Sequence, residues 1–513
     1  MTAGAVLLFM DFMDGMDTMD REPNGLRLRA HIVHAVHIVH EPGISRNQGT
    51  KSEKQTMSMQ DITRRAFLAA ATTTAVLSGC ATGNPKPNTA KVVPGKLSPN
   101  EKLNIAAIGA GGKGAQDILS LARENIVALC DVDLASAAEA IYRQPNAKQY
   151  QDYRKMLDEL GGQIDAVTVS TPDHTHAPAA YTAMKMGKHV YVQKPLTHTV
   201  AEARLLARTA REMKVMTQMG NQGHSGDGVR DLAEMLWAGA AGNVHTVHVW
   251  TNRPGVRWPQ GGPNAPMPGE PVPETMAWDL WLGTAAERPF SKAYAPRKWR
   301  GWIPFGCGGL GDMGCHIMDP AVFALKLNEA KSFAVETVHA ENVNTETWPA
   351  NFVVKYSFPA RGDMPPLEMF WYENGQKPPR PDGVPDSQKL GDGDNGALYI
   401  GDKGILTTGE YGGDARLLPD EKMKDYARPA QTLERVQGGN HYRNFAEACR
   451  TGKPAVSNFD YAAPFTEMLL FGNIAVLAGK KVEYDREKMR VTSDPAMNSL
   501  LTKEYRKGWE LPV

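Results

Sequence analysis

The chain has 513 residues, enough for more than one folding unit. It is 42% hydrophobic and 22% charged, the balance of an ordinary globular protein. Lys plus Arg and Asp plus Glu are equal at 57 each, so the overall charge gives no reason to expect nucleic acid or an acidic membrane surface as partner. Five cysteines (Cys80, Cys130, Cys307, Cys315 and Cys449) form neither a paired metal-ligand spacing nor a disulfide framework.

Residues 1–56 stand apart from the rest. Met and Asp recur in Met10-Asp11-Phe12-Met13-Asp14, and His31, His34, His37 and His40 follow at a spacing of three. That spacing can align imidazoles on one helical face. Val and Ile fill most positions between them and no partner cluster follows, so no metal site is expected. Asp61-Ile62-Thr63-Arg64-Arg65-Ala66-Phe67-Leu68 is a twin-arginine export signature. The apolar stretch Ala66–Val76 is short for a membrane span, which needs about 20 residues, and suits a signal h-region. Leu77-Ser78-Gly79-Cys80 reads as a lipobox with Cys80 as the acylated residue. Signal peptides are N-terminal, so translation is expected to begin at Met57 or Met59. The division expected is an upstream extension over 1–56, a signal over 57–80 and a proline-containing tether over 81–101.

From Leu103 the pattern becomes strand, glycine turn, helix, strand, acid. Leu103–Ile108 is a short apolar run. Gly109-Ala110-Gly111-Gly112-Lys113-Gly114 is a Gly-x-Gly-x-x-Gly turn, Ala115–Arg123 is helical, and Ile126–Cys130 ends on Asp131. Each part suits a dinucleotide site. Gly109 permits the turn, Gly111 and Gly112 admit a diphosphate, and Gly114 lets helix and strand pack closely. Asp131, 22 residues after Gly109, is placed to accept from ribose hydroxyls. That carboxylate, with no Arg or Lys in Val132-Asp133, argues for NAD over NADP. Twin-arginine export carries folded proteins, which suits a tightly held cofactor acquired in the cytoplasm.

Helices are expected over Leu134–Tyr142, Tyr153–Leu160, His176–Met186 and Thr199–Met213. Strands are expected over Ala166–Ser170, His189–Gln193 and Val215–Met219. Repeated βα units predict a doubly wound parallel sheet over 102–221, with ligands outside the carboxyl ends of its strands. Thr171-Pro172-Asp173-His174-Thr175-His176 and Lys194-Pro195 lie at such ends. A lysine there can hold a substrate oxygen and stabilise negative charge developing on it.

From about Gln222 the pattern changes. After a helix over Asp227–Trp237, strand candidates (His245–Trp250, Ser332–Val338, Phe352–Phe358, Leu367–Tyr372, Ala397–Ile400) follow with few helices between them. Two helices, Tyr442–Arg450 and Tyr461–Ala478, close the chain. This predicts an α+β domain over 222–513 with an open, largely antiparallel sheet. All ten tryptophans lie at or beyond Trp237, and Trp258, Trp299 and Trp302 sit in Gly- and Pro-rich loops where a sugar face can stack. In Gly308–Asp319, Asp312 and His316 share a face if the segment is helical, with His316 as general base and Asp312 orienting it. The glycines there are expected to open backbone access to a ligand.

These motifs together resemble the Gfo/Idh/MocA family, named for glucose–fructose oxidoreductase, inositol dehydrogenase and a rhizopine-catabolism protein. The resemblance covers roughly Lys102–Trp509. It rests on the glycine loop, Thr171–His176, Lys194-Pro195 and Asp312-x-Gly-x-His316. Trp299-Arg300-Gly301-Trp302 and Glu504–Trp509 resemble exported members more narrowly. It implies a Rossmann domain and a C-terminal α/β domain whose sheet mediates a homo-oligomer, a dimer or tetramer. Lys194, Asp312 and His316 would be the catalytic trio. Thr171, Pro172, His176 and Lys194 would face the cofactor, and Trp299 and Arg300 the substrate. The family often has Glu before Lys-Pro where this chain has Gln193. Exported relatives with NAD-dependent hydrolase activity lack the lysine, so Lys194-Pro195 points away from them. The function expected is hydride transfer between NAD and a secondary hydroxyl of a sugar, polyol or glycoside, by a periplasmic, lipid-tethered enzyme. The alternatives are cleavage of a glycoside by transient oxidation, and a non-catalytic carbohydrate-binding protein.

Overall fold

The computed structural model describes residues 101–513 apart from residue 256. The export signature, Cys80 and the tether lie outside the described residues. Residues 104–219 form a six-stranded parallel sheet in the order β3-β2-β1-β4-β5-β6. Its strands are β1 (Asn104–Ile108), β2 (Asn125–Cys130), β3 (Lys148–Tyr150), β4 (Ala166–Val169), β5 (His189–Val192) and β6 (Thr217–Met219). The order reverses between β1 and β4, the position where α/β sheets leave a crevice for a ligand. β4 is buried at every residue, as its unbroken apolar character requires with helices on both faces.

The helices of this half are α1 (Lys113–Ser120), α2 (Ala138–Arg143), α3 (Tyr153–Leu160), α4 (His176–Lys185) and α5 (Val200–Met213). α5 starts with a capping box. Glu202 N–H donates to the Thr199 hydroxyl and the Glu202 carboxylate accepts from Thr199 N–H, satisfying two donors at the helix end.

After α6 (Asp227–Trp237) the chain builds a nine-stranded sheet in the order β13-β12-β11-β7-β10-β9-β8-β14-β15. Its strands in chain order are β7 (Val244–Trp250), β8 (Ser332–Glu341), β9 (Asn351–Phe358), β10 (Leu367–Tyr372), β11 (Gly396–Gly401), β12 (Ile405–Thr408), β13 (Arg416–Leu418), β14 (Val482–Asp485) and β15 (Arg490–Val491). The sheet is mixed: β7 and β10 pair in parallel and the remaining pairs are antiparallel. The long connection between β7 and β10 permits that one parallel pairing. Strands β3, β12 to β15 and a helix α7 (Trp278–Leu282) carry too little periodicity in the sequence to be read there.

Helices α8 (Gly308–Ile317) and α9 (Asp319–Ala324) fall between β7 and β8. α10 (His441–Thr451) and α11 (Phe459–Ala478) precede β14. α11 is apolar and long enough to cross a membrane, but 78% of its apolar window is buried inside the protein. It packs on β8, β9, α5 and α8, which makes it the core helix joining the two sheets.

Candidate active site

The glycine loop leaves the carboxyl end of β1 with Gly109 at φ +82°. A Cβ on Gly109 would lie 2.6 Å from the Ser170 carbonyl, and one on Gly114 would lie 1.9 Å from Gly109 O. A side chain at either position therefore collides with backbone. Gly112 precedes α1 at φ +50°, with nothing within 4 Å of a Cβ built there. No side chain caps α1. The first turn of α1 thus has no side-chain acceptor of its own, the arrangement that takes a diphosphate. Asp131 Oδ2 accepts from Ala110 N (2.8 Å) and Gly111 N (2.9 Å), and Oδ1 from Asp133 N. Burial pushes its carboxyl up. The residue assigned to the ribose thus also holds the glycine loop in shape.

The Thr171–His176 loop follows β4. Gly109 packs against the Ser170–Thr171 peptide. His176, buried, sits between the Thr171 carbonyl (Nε2, 2.8 Å) and the Pro195 carbonyl (Nδ1, 2.9 Å). Its ring clamps the loops after β4 and β5 to one another, and both nitrogens are taken. Asp173 Oδ2 accepts from Cys307 N, just before α8. His174 lies between the carbonyls of Phe305 and Trp281, and burial lowers it to about 3. This loop is a clasp: its polar side chains bind segments that carry the other half of the site.

Lys194 follows β5 and reaches α8. Its Nζ donates to Asp312 Oδ1 (2.7 Å) and to Asp312 O (2.8 Å). Arg300 Nε lies 3.4 Å from the same carboxylate oxygen. Burial acts to raise Asp312, but Lys194, Arg300 and Arg253 outweigh it, and the carboxyl sits well below the usual range. Lys194, Asp312 and Arg300 are therefore brought together.

His316, one turn on and buried, is held well below its ordinary pKa, first by burial and then by Lys194, so it is neutral. Its Nδ1 has no hydrogen-bond partner among the described residues, and Tyr411 meets its ring edge-on at 5.0 Å. The expected Asp312–His316 hydrogen bond is not formed. Asp312 is taken by two cations from other segments, which outcompete a neutral ring on the same helix.

Three further expectations change. The glycines around α8 serve packing rather than ligand access. Cβ atoms there would meet Arg300 at Gly306, Trp348 at Gly308, the Glu373 carboxylate at Gly309 and Cys307 at Gly311, all within 3 Å. Trp302 is wholly buried, donates to Ala293 O and packs edge-on to Tyr294, so it is a core residue. Trp299 is buried and carries Arg300 over its ring at 4.3 Å, which makes it a platform for that guanidinium.

Gln193 finds its reason in Asp117, a buried carboxylate on α1. The Gln193 amide donates to it at 2.9 and 3.1 Å, beside Ser170, Tyr442 and Lys113. A glutamate at 193 would face a carboxylate. The sequence alone could not show this, because Asp117 looks like any helix-surface acid.

Sequence reasoning missed Glu373. It follows β10, is fully buried, and accepts from Gln260 Nε2 (2.6 Å) and Trp371 Nε1 (3.0 Å) against the first turn of α8. Burial pushes it up to about 8.

A six-stranded parallel sheet with this glycine loop at the carboxyl end of β1 defines a Rossmann dinucleotide-binding domain. Residues 103–221 match the oxidoreductase family model for the NAD-binding Rossmann fold, and residues 228–359 match the model for its C-terminal α/β domain. The chain belongs to the Gfo/Idh/MocA oxidoreductase family.

Among curated proteins it is similar to glycosyl hydrolase family 109 protein 1 of Shewanella sp. (strain ANA-3), 35% identical over 188 residues. It is equally similar, 35% over 188 residues, to an alpha-N-acetylgalactosaminidase of Shewanella oneidensis. Each match takes in 32% of this chain and spans 40% of the length of the relative. Among solved structures, GenD2 from gentamicin A biosynthesis in complex with NAD aligns at a TM-score of 0.50 and 20% identity, over 77% of this chain and 99% of that one. The WlbA dehydrogenase from Chromobactrium violaceum, in complex with NADH and UDP-GlcNAcA, aligns at 0.53 and 15%, over 75% and 97%. At those identities the likeness is one of fold.

Proposed function

We propose that the protein transfers hydride between NAD and a secondary hydroxyl of a sugar, polyol or glycoside. The observation that carries this reading is the convergence of Lys194, Asp312 and a neutral His316 beyond the carboxyl ends of β4 and β5, beside a glycine loop shaped for a dinucleotide.

The residues that would hold the cofactor are Gly109 to Gly114, Asp131 and the Thr171-Pro172 turn, and NAD when bound takes up or returns the hydride. His316, neutral and with an unpartnered nitrogen, accepts the hydroxyl proton. Lys194, held in place by Asp312, donates to the oxygen as it becomes a carbonyl. Asp312 positions Lys194 and Arg300 rather than His316. In reverse, His316 returns its proton and a ketosugar is reduced.

Lys194→Ala and His316→Ala should each lower kcat by roughly 10²- to 10⁴-fold on a confirmed substrate. NAD binding, measured by calorimetry, should persist in both. Full turnover in both variants would sink the assignment.

The names of the curated relatives favour a second reading, in which transient oxidation drives cleavage of a neighbouring glycosidic bond. Lys194-Pro195 points away from it. Release of free sugar without net NADH formation would decide for cleavage. We also infer export by the twin-arginine leader with acylation at Cys80, and assembly of copies through the nine-stranded sheet. The mass of the mature N-terminus and light scattering test these two points.

A further inference from the structure

We propose that the cavity beside Trp258 is a subsite for an anionic saccharide unit, which makes the substrate an acidic glycoside. This deepens the oxidoreductase reading and rests on it. The cavity measures about 270 Å³, near the lower end of small-molecule sites and enough for one sugar unit. Trp258, Met267, Arg257 and Lys298 line it, and no carboxylate among the described residues does.

The cavity is tied to the catalytic helix. Trp258 Nε1 donates to Gln260 Oε1 (2.8 Å), and the same oxygen accepts from Gly309 N in the first turn of α8 (3.0 Å). Arg300 bridges the remaining distance. Its guanidinium lies 5.8 Å from the centre of the Trp258 ring, and its Nε is 3.4 Å from Asp312. Asp312, Arg300, Trp258 and the cavity thus form one path leading away from Lys194.

The lining chemistry selects the occupant. An indole face takes the C–H face of a pyranose. Lys and Arg give charge-assisted hydrogen bonds to a carboxylate or a sulfate ester. Lys298 is exposed, and it forms no ion pair among the described residues. Its charge supports nothing in the fold, which leaves it for a ligand. A neutral polyol would leave the Lys298 charge on the cavity wall without a counter-ion among the described residues.

The holoprotein is titrated with digalacturonate, with a sulfated chondroitin disaccharide and with neutral cellobiose. Binding is followed calorimetrically and nicotinamide reduction by absorbance. At least one acidic probe should bind ten times or more tighter than cellobiose, and whichever of the two does so identifies the anion. Lys298→Ala should weaken that acidic probe about tenfold. Lys298→Arg should restore it, and the Kd for NAD should stay unchanged in both variants.

Equal affinity for cellobiose, no binding of either acidic probe, or no effect of Lys298→Ala would overturn the subsite. Tight, Lys298-dependent binding of an acidic probe without any nicotinamide reduction would sustain the subsite while counting against the redox reading. Reduction on neutral sugars with no preference for acid would do the reverse.

Discussion

Gln193 and Asp117 show how a departure from a family pattern is absorbed by one partner. Both are buried, and the amide gives both carboxylate oxygens a donor without adding charge. Gln193→Glu should therefore destabilise the fold by about 1–3 kcal/mol at neutral pH, because it sets a second carboxylate against the Asp117 side chain. Urea denaturation at pH 7 checks this.

Glu373 makes the opposite case. Its folded pKa, about 8, lies above its ordinary 4.5, so the folded state holds a proton that the unfolded state releases. Stability is then lost as pH rises from about 4.5 to 8, the window in which only the unfolded state has ionised. The wild type should lose stability between pH 5 and pH 8 with a slope that Glu373→Gln flattens, as measured by thermal unfolding across that range. Equal slopes would mean that Trp371, Gln260 and the first turn of α8 carry the ionised carboxylate without penalty.

At the scale of an element, the glycine loop separates two reasons for glycine. Gly114→Ala puts a methyl 1.9 Å from a backbone oxygen and should abolish NAD binding, because β1 and α1 can no longer approach. Gly112→Ala meets no atom within 4 Å, and its φ of +50° costs only about 1 kcal/mol, so NAD affinity should fall by about tenfold or less. Calorimetric titration of the two variants separates close packing from backbone conformation.

The same distinction applies to α8. A run of glycines in a chemically loaded segment looks like room for a ligand. Here each glycine admits a neighbouring protein atom, and the helix presses against Glu373, Cys307 and Trp348 instead.

At the scale of the whole molecule, the C-terminal segment is a strap. Lys503 Nζ lies 3.1 Å from Glu202, which Tyr505 also meets, and Arg506 pairs with Asp279 in the first turn of α7. Trp509 lies under Arg154 at 4.5 Å. Glu202 is fully buried and belongs to the capping box of α5. Deleting Thr502–Val513 leaves that carboxylate without its lysine. The melting temperature should fall by several degrees, and an unchanged melting temperature would show the strap to be decorative. Glu504–Trp509 stood out in the sequence as a local motif, but not as a strap, since none of their partners is near in the chain.

What the sequence determined by itself is local or periodic. The order of strands and helices in 102–221, β3 apart, follows from apolar runs and turn residues, which act over a few positions. The dinucleotide site follows from a turn whose glycines are dictated by its own geometry. Lys194, Asp312 and His316 stood out in the sequence because each falls in a segment that the order of strands and turns marks. What tertiary structure decided is pairing between segments hundreds of residues apart. It gave Asp312 to Lys194 and Arg300 instead of His316, gave Gln193 to Asp117, and buried Glu373 behind α8. The reason is physical. A carboxylate goes to the strongest donors within about 3 Å, and only the folded chain brings those donors that close.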